Sequence, residues 1–333
     1  RTLSAEYDVL GRRVRRTTPS GAVSDWSYDA AGSPVALTTA AGALSFQYDA
    51  AGRETTRYLG AQAALSQSYD NAGRLSAQAI WSYDYGTAST PAPLLQQERT
   101  YAYRPDGYPV EITDQLRGTR RYDLDQVGRV TAVHASTWSE NYAYDALGNL
   151  TQSATPGDDD RQGELQYAGA LIRSSGRTTY EHDAQGRIVR SARRTLSGQT
   201  KLWTYSWDAD DHLVQATTPD GAVWQYRYDP LGRRTSKRRL AGDGTVAEEA
   251  QVTWDGARLA EQLTVRDGQI EVLTWDWDPG THRAAAQRRR RFSAHSSETH
   301  QAPQAEVDAA FYAIVSDLIG TPHELVAADG RIA

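Results

Sequence analysis

YDPLGR, residues 228–233, has near copies along the chain: YDVLGR from Tyr7, YDAAGS from Tyr28, YDAAGR from Tyr48, YDNAGR from Tyr69 and YDALGN from Tyr144. In each, Asp stands first in a four-residue turn and Gly fourth, with Pro second in YDPLG. Those are the preferences of a type I turn whose last residue takes a left-handed backbone. This predicts a three-residue hairpin loop closed by a glycine bulge. The residues are Asp8 and Gly11, Asp29 and Gly32, Asp49 and Gly52, Asp70 and Gly73, Asp145 and Gly148, and Asp229 and Gly232. Each Asp is expected to accept a hydrogen bond from the backbone N–H two residues on.

The Tyr before each turn, at 7, 28, 48, 69, 144 and 228, commonly follows another aromatic two residues earlier, as in Trp26/Tyr28, Phe46/Tyr48, Tyr142/Tyr144 and Tyr226/Tyr228. A spacing of two puts both rings on one face of a strand. A second turn spelling, TPSGA at 18–22 and TPDGA at 218–222, is expected to close the other end of the hairpin. The early Asp residues at 8, 29, 49 and 70 then mark units of 21, 20 and 21 residues. The segments between turns alternate and carry Val, Thr, Trp and Tyr, as half-buried strands do. Degraded forms continue through YRPDGY at 103, LDQVGR at 124, HDAQGR at 182, WDADDH at 207, WDGARL at 254 and DPG at 278. The chain reads as all-β, a long meander of hairpins. A meander of so many short strands exceeds what an open twisted sheet supports and is expected to curl.

Composition narrows the function classes. The 333 residues contain no Cys, so disulfides, thiolate metal sites and Cys nucleophiles are excluded. Met is absent too, so a sequence opening at Arg1 reads as an internal piece of a longer protein. A net charge of -6 gives no global polyanion signal and argues against a nucleic-acid partner. No apolar run approaches the roughly 18 to 20 residues of a membrane span. Aromatic usage is lopsided, 19 Tyr and 9 Trp against 3 Phe, which suits sheet faces with one apolar side and one polar contact.

The repeated motif resembles that of the RHS/YD-repeat family, found in bacterial polymorphic toxins, in the C components of insecticidal toxin complexes and in animal teneurins. The resemblance covers about residues 5 to 280. DLIGTPHELVAADGRI, residues 317–332, is similar to the HLGTP-x-EL-x-D-x-x-G segment that opens the core following the repeats. Asp317, Gly320, Thr321, Pro322, Glu324, Leu325, Asp329 and Gly330 sit on that pattern, while Leu318 and Ile319 depart from its His-Leu.

The resemblance implies a β-sheet coiled into a cocoon-like shell, here a partial one, that encloses a C-terminal toxin. It implies a toxin domain of the same parent protein as partner, with secretion-machine components such as a type VI spike or a toxin-complex partner. It also implies delivery out of a bacterial cell, in interbacterial or host-directed attack. A later DPxG segment near a self-cleavage site is not found before Ala333, so no catalytic residue carries over and no enzyme activity or cofactor is expected. The domains expected are repeats over 1–280, a mobile basic loop over 281–306, and the start of the RHS core over 307–333.

Several features admit chemistry as well as structure. The YD aspartates could ligate metal or act as acids, but they recur where a turn needs Asp, and the turn reading is preferred. The aromatic ladder could stack on sugars, making the chain a carbohydrate-binding or adhesion module; cross-strand packing explains the same ladder. RRRR at 288–291 could grip phosphate, but in a segment without periodicity it reads as solvated charge. DDDRQG at 158–163 resembles half a calcium loop but has Gly169 where position twelve needs Glu, so it reads as a solvated turn, and DYGTASTPAPLLQQ at 84–97 reads as an insertion at a hairpin tip. GDGTVA at 242–247 lacks a strand-to-helix context, HELVA has Ala327 where a zinc motif needs His, and NLT at 149–151 is a glycosylation sequon only in a eukaryotic secretory setting. His295 and His300 have no partner at ligand spacing.

Overall fold

The computed structural model describes residues 2–84, 92–157, 162–279, 281, 283–293 and 308–333. Those residues form 28 antiparallel strands of one sheet and no helix. The registers join strands consecutive in sequence, so the topology is a meander. No helix among the described residues is long and apolar enough to cross a membrane.

The strands form where the alternation lies. In Gly42–Tyr48, GALSFQY, Leu44 and Phe46 are buried while Ala43, Ser45 and Gln47 are exposed. At the end of such strands the register slips by one residue just before the motif Tyr, between Ser27 and Tyr28, Gln47 and Tyr48, and Arg227 and Tyr228. This is the bulge that a three-residue loop ending in left-handed glycine requires.

The chain divides into two compact units. Unit 1 joins residues 1–99 to 248–333, and unit 2 is the continuous stretch 100–247. In unit 1 the first strands and the last strands share one apolar core: Trp26, Leu37, Leu44, Phe46, Leu59 and Ile80 from the first, Ala285, Phe311, Val315 and Val326 from the last. Unit 2 is built from the same kind of hairpins. Its buried apolar residues, among those described, are Tyr101, Ala132, Val133 and Ala216, and most of its strand residues are only half-buried.

Three expectations change. Within the stretch expected as a mobile basic loop over 281–306, Ala284–Ser293 is a strand, paired to Gln269–Trp277 on one side and Asp308–Ser316 on the other. Residues 294–307, with His295 and His300, lie outside the described residues. The boundary near residue 280 therefore vanishes, and the strands around the GTP segment continue the same meander within unit 1. Finally, the insertion expected over 84–97 contracts, because Ala92–Tyr103 is a strand and only 85–91 lie outside the described residues. Residues 158–161 of the acidic DDDRQG stretch lie outside them too.

Candidate functional site

The recurring turn is built the same way each time. Asp8 N–H donates to the Arg12 carbonyl at 2.9 Å and Gly11 N–H to the Asp8 carbonyl at 3.0 Å. The Asp8 carboxylate accepts from Leu10 N–H and Arg12 N–H, both at 2.9 Å, with one oxygen, and from Arg12 Nε at 2.7 Å with the other. Asp49 does the same with Ala51 and Arg53, Asp70 with Ala72 and Arg74, and Asp229 with Leu231 and Arg233. Asp145 uses Leu147 and Asn149, whose side-chain amide replaces the guanidinium at 2.9 Å. At Asp29 the sixth residue is Ser33, whose N–H donates at 2.8 Å.

Gly232 closes its turn at φ 73°, and Gly11, Gly32, Gly52, Gly73 and Gly148 lie in the same region. A side chain there costs about 1–2 kcal/mol. The TPSG turn has the same geometry: Gly21 N–H donates to the Thr18 carbonyl at 2.9 Å, and Thr18 Oγ1 accepts from Ala22 N–H at 3.2 Å.

The motif Tyr ties one hairpin to the one before it. Tyr28 Oη donates to the Arg13 carbonyl at 2.8 Å, Tyr48 to Pro34 at 2.8 Å, Tyr69 to Glu54 at 2.9 Å, Tyr144 to Val130 at 2.9 Å and Tyr228 to Leu213 at 2.9 Å. In every case the acceptor is the residue following the sixth position of the earlier turn. Trp207 and Trp277 make the equivalent bond through Nε1, to Ile188 and Leu259. Tyr7 heads the series, 57% exposed beside Arg13.

Sequence reasoning missed the sixth residue of the motif. Arg12 lies 4.8 Å from the ring centre of Tyr28, Arg53 4.6 Å from that of Tyr69 and Arg129 4.7 Å from that of Tyr144. Arg12 and Arg187 also donate to the carbonyls of the next turn's Asp, Asp29 at 3.3 Å and Asp208 at 2.9 Å. His212 fills the role before Tyr228, its ring stacked at 4.6 Å. The signal was in plain view as the Arg after Gly in YDVLGR, YDAAGR, YDNAGR and YDPLGR.

These contacts decide what the aspartates can do. The Arg53 side chain holds the Asp49 carboxyl below the usual carboxylate range, and Arg233 does so for Asp229. At Asp8 burial pushes upward, but the backbone and side chain of Arg12 outweigh it. With both oxygens engaged in its own turn, such a carboxylate is a poor base or metal ligand. Asp208, Asp210 and His212 do bring one ligand atom each within 4.8 Å of one another. There too Asp208 accepts from Asp210 and His212 N–H, the bonds that close the other turns. The hydroxyls of Tyr28, Tyr48, Tyr69, Tyr144 and Tyr228 are likewise committed to backbone carbonyls rather than held free to meet a sugar.

The GTP segment contains another such turn. Asp317 Oδ1 accepts from Ile319 N–H at 3.1 Å and Thr321 N–H at 2.8 Å, and Gly320 has φ 91°. Thr321 and Pro322 are exposed at the turn, and Leu325 faces Ile314 across the strand pair. Glu324 is 4% exposed and binds Arg99 and Gln97.

That ion pair belongs to a second set of contacts, all in unit 1, between residues far apart in sequence. Arg16 Nη2 donates to Asp276 Oδ1 and to the Trp275 carbonyl, both at 2.7 Å. Arg288 donates to Ser24 Oγ at 2.7 Å and to the Val23 carbonyl at 2.9 Å, and stands 3.3 Å from the other Asp276 oxygen. Arg290 and Glu261 both meet Ser20, and Arg57 donates to the Ile314 carbonyl at 2.9 Å. The RRRR run is therefore not solvated charge. Strand alternation sends Arg288 and Arg290 into the interior, where burial lowers both their pKa values, and sends Arg291 outward to Glu271.

The fold and turns define a tandem-hairpin β-repeat protein in which each unit is closed by an Asp–Gly turn and bonded to its neighbour. It contains RHS repeats at two places: the RHS Repeat family model matches residues 7–44 and 207–246. Curated relatives include the probable deoxyribonuclease RhsB of Dickeya dadantii (strain 3937), 34% identical over 182 residues, spanning 53% of this chain and 12% of the relative. The double-stranded DNA deaminase toxin A of Burkholderia cenocepacia (strain H111) is 28% identical over 244 residues, 71% of this chain and 16% of the relative. The chain thus spans only a small part of these relatives. Among solved structures, TcdB2-TccC3-TEV matches with a TM-score of 0.66 at 18% identity, over 99% of this chain and 17% of that one. A Photorhabdus luminescens Tc holotoxin pore matches at 0.55 and 15% identity, again over 99% of this chain and 17% of that one.

Proposed function

We propose that this chain is a segment of a container wall: a coiled RHS sheet that encloses a C-terminal toxin domain of the same parent protein and carries it out of a bacterial cell. The observation that carries the reading is that one turn, one ladder and one register govern nearly the whole chain, and that the fold they build is matched over 99% of its length in a Tc toxin assembly. Curated relatives named as toxins or nucleases support it.

Containment is then the mechanism. Turn chemistry fixes the register, the Tyr and Arg bonds couple each hairpin to the next, and the continuous backbone pairing separates cargo from solvent. Any enzymatic activity would belong to the cargo, and secretion-machine components would engage the parent protein elsewhere. The test is limited proteolysis of the full-length protein. Its C-terminal domain is expected to resist protease until denaturant unfolds the sheet, and cleavage of that domain at the rate of an exposed linker would refute the container.

A further inference from the structure

Unit 1 contains a half-open cavity of about 390 Å³ whose chemistry the wall role does not use. Exposed Tyr7 lines it at one place, and its buried and half-buried aromatic walls are Trp26, Tyr28 and Trp277. All three are fixed: Trp26 is 7% exposed and stacked on Phe46, Tyr28 Oη is bonded to the Arg13 carbonyl, and Trp277 Nε1 to the Leu259 carbonyl. A volume of this size falls within the ~300–1,000 Å³ of small-molecule sites, and prefixed rings cost little to order on binding.

The charges lining the cavity do not balance. Arg12 is held by Asp8, Arg13 by both oxygens of Asp255, and Arg16 by Asp276. Arg258 is the fourth guanidinium, and it has no hydrogen bond or ion pair among the described residues. Its cross-strand neighbour is Asp255, whose carboxylate is turned to Arg13 instead. A planar cation is left over at the edge of an aromatic chamber, with its geometric partner already taken.

We propose that this cavity binds a small planar aromatic monocarboxylate, with the ring against Trp26, Tyr28 and Trp277 and the carboxylate on Arg258. A carboxylate gives Arg258 the anionic partner it lacks, and a guanidinium takes it with two parallel hydrogen bonds. The flat walls favour a ring over an aliphatic acid, because offset or edge-on aromatic contacts add to simple burial. The site is independent of the wall reading, and either can fail without the other.

The experiment is isothermal titration calorimetry on the full-length protein with three probes of one shape: 1-naphthoate, 1-naphthalenemethanol and 1-naphthylmethylammonium. The carboxylate is expected to bind at least about tenfold more tightly than the alcohol, and the ammonium not detectably. R258Q is expected to erase the preference for the carboxylate over the alcohol, and R258K to restore part of it. Equal binding of the three probes by the unaltered protein overturns the proposal whether or not the variants fold. So does unchanged 1-naphthoate affinity in R258Q, or tighter binding of glucuronate than of 1-naphthoate.

Discussion

The two units use the same turn and ladder yet differ in what covers the sheet. In unit 1 the side chains of the first strands meet those of the last, and Leu37, Leu44 and Val272 are buried to 1% exposure or less. Ion pairs join residues such as Arg16 and Asp276 across 260 positions of sequence. In unit 2 the same YD and ladder bonds recur at Asp145, Tyr144, Asp229 and Tyr228, but few side chains are fully buried. Local turn chemistry therefore suffices to write a hairpin sheet, whereas tertiary stability is concentrated where two parts of the chain cover one another. Under the container reading, the sparsely buried side chains of unit 2 are the ones left over to meet cargo.

The comparison can be broken at its strong side first. Asp276→Ala strands Arg16 and Arg288, both nearly inaccessible, without their shared anion, and is expected to destabilise by about 3–5 kcal/mol in a urea melt. Leu37→Ala opens a cavity at a fully buried site and is expected to cost about 2–5 kcal/mol. Val133→Ala in unit 2 removes less side chain and should cost about 1–2 kcal/mol. If Val133→Ala matched Leu37→Ala, the contrast between the units would fall.

The shared features should behave alike in both units. Gly232→Ala forces a Cβ into a left-handed backbone and against His212 Nε2 at 3.0 Å, and Gly52→Ala forces one into the same backbone with nothing within 4 Å. Each is expected to cost about 1–2 kcal/mol, so a neutral result at either would deny the turn its glycine requirement. Tyr228→Phe and Tyr48→Phe each delete one bond to the preceding hairpin and should lower stability by about 0.5–1.5 kcal/mol.

The smallest effect per site is that of pH. Asp49 has its folded pKa lowered by Arg53 from the ordinary 3.8. Its contribution is thus complete above the unfolded value and is lost as pH falls through the lower folded one. Unfolding midpoints measured from pH 6 to pH 2 should fall at the acid end, and Asp49→Asn should flatten that decline slightly. Asp278 runs the other way, since burial raises its pKa, so Asp278→Asn should preserve or raise stability at neutral pH.

Much of this architecture is legible in sequence because it is local. Asp and Gly are set by contacts within a few residues and the preceding Tyr by a carbonyl one repeat back, and repetition lets one occurrence interpret another. What escaped was set at a distance. RRRR at 288–291 has no visible alternation, because all four residues are identical, and only Asp276, Ser24 and Ser20 distinguish its two faces. The same holds for Glu324, whose partner Arg99 lies 225 positions away. The Arg at the sixth motif position was legible in principle. It was overlooked because its second role, beneath the Tyr of the next repeat, is invisible when the motif is read one copy at a time.

The container reading is met most directly by cryo-electron microscopy of the full-length protein that carries this chain. The predicted map has the RHS sheet curving around an interior that holds density for the C-terminal domain, with the ladder bonds continuous along the wall. A map with a solid interior, or with the C-terminal domain outside the sheet, would contradict it.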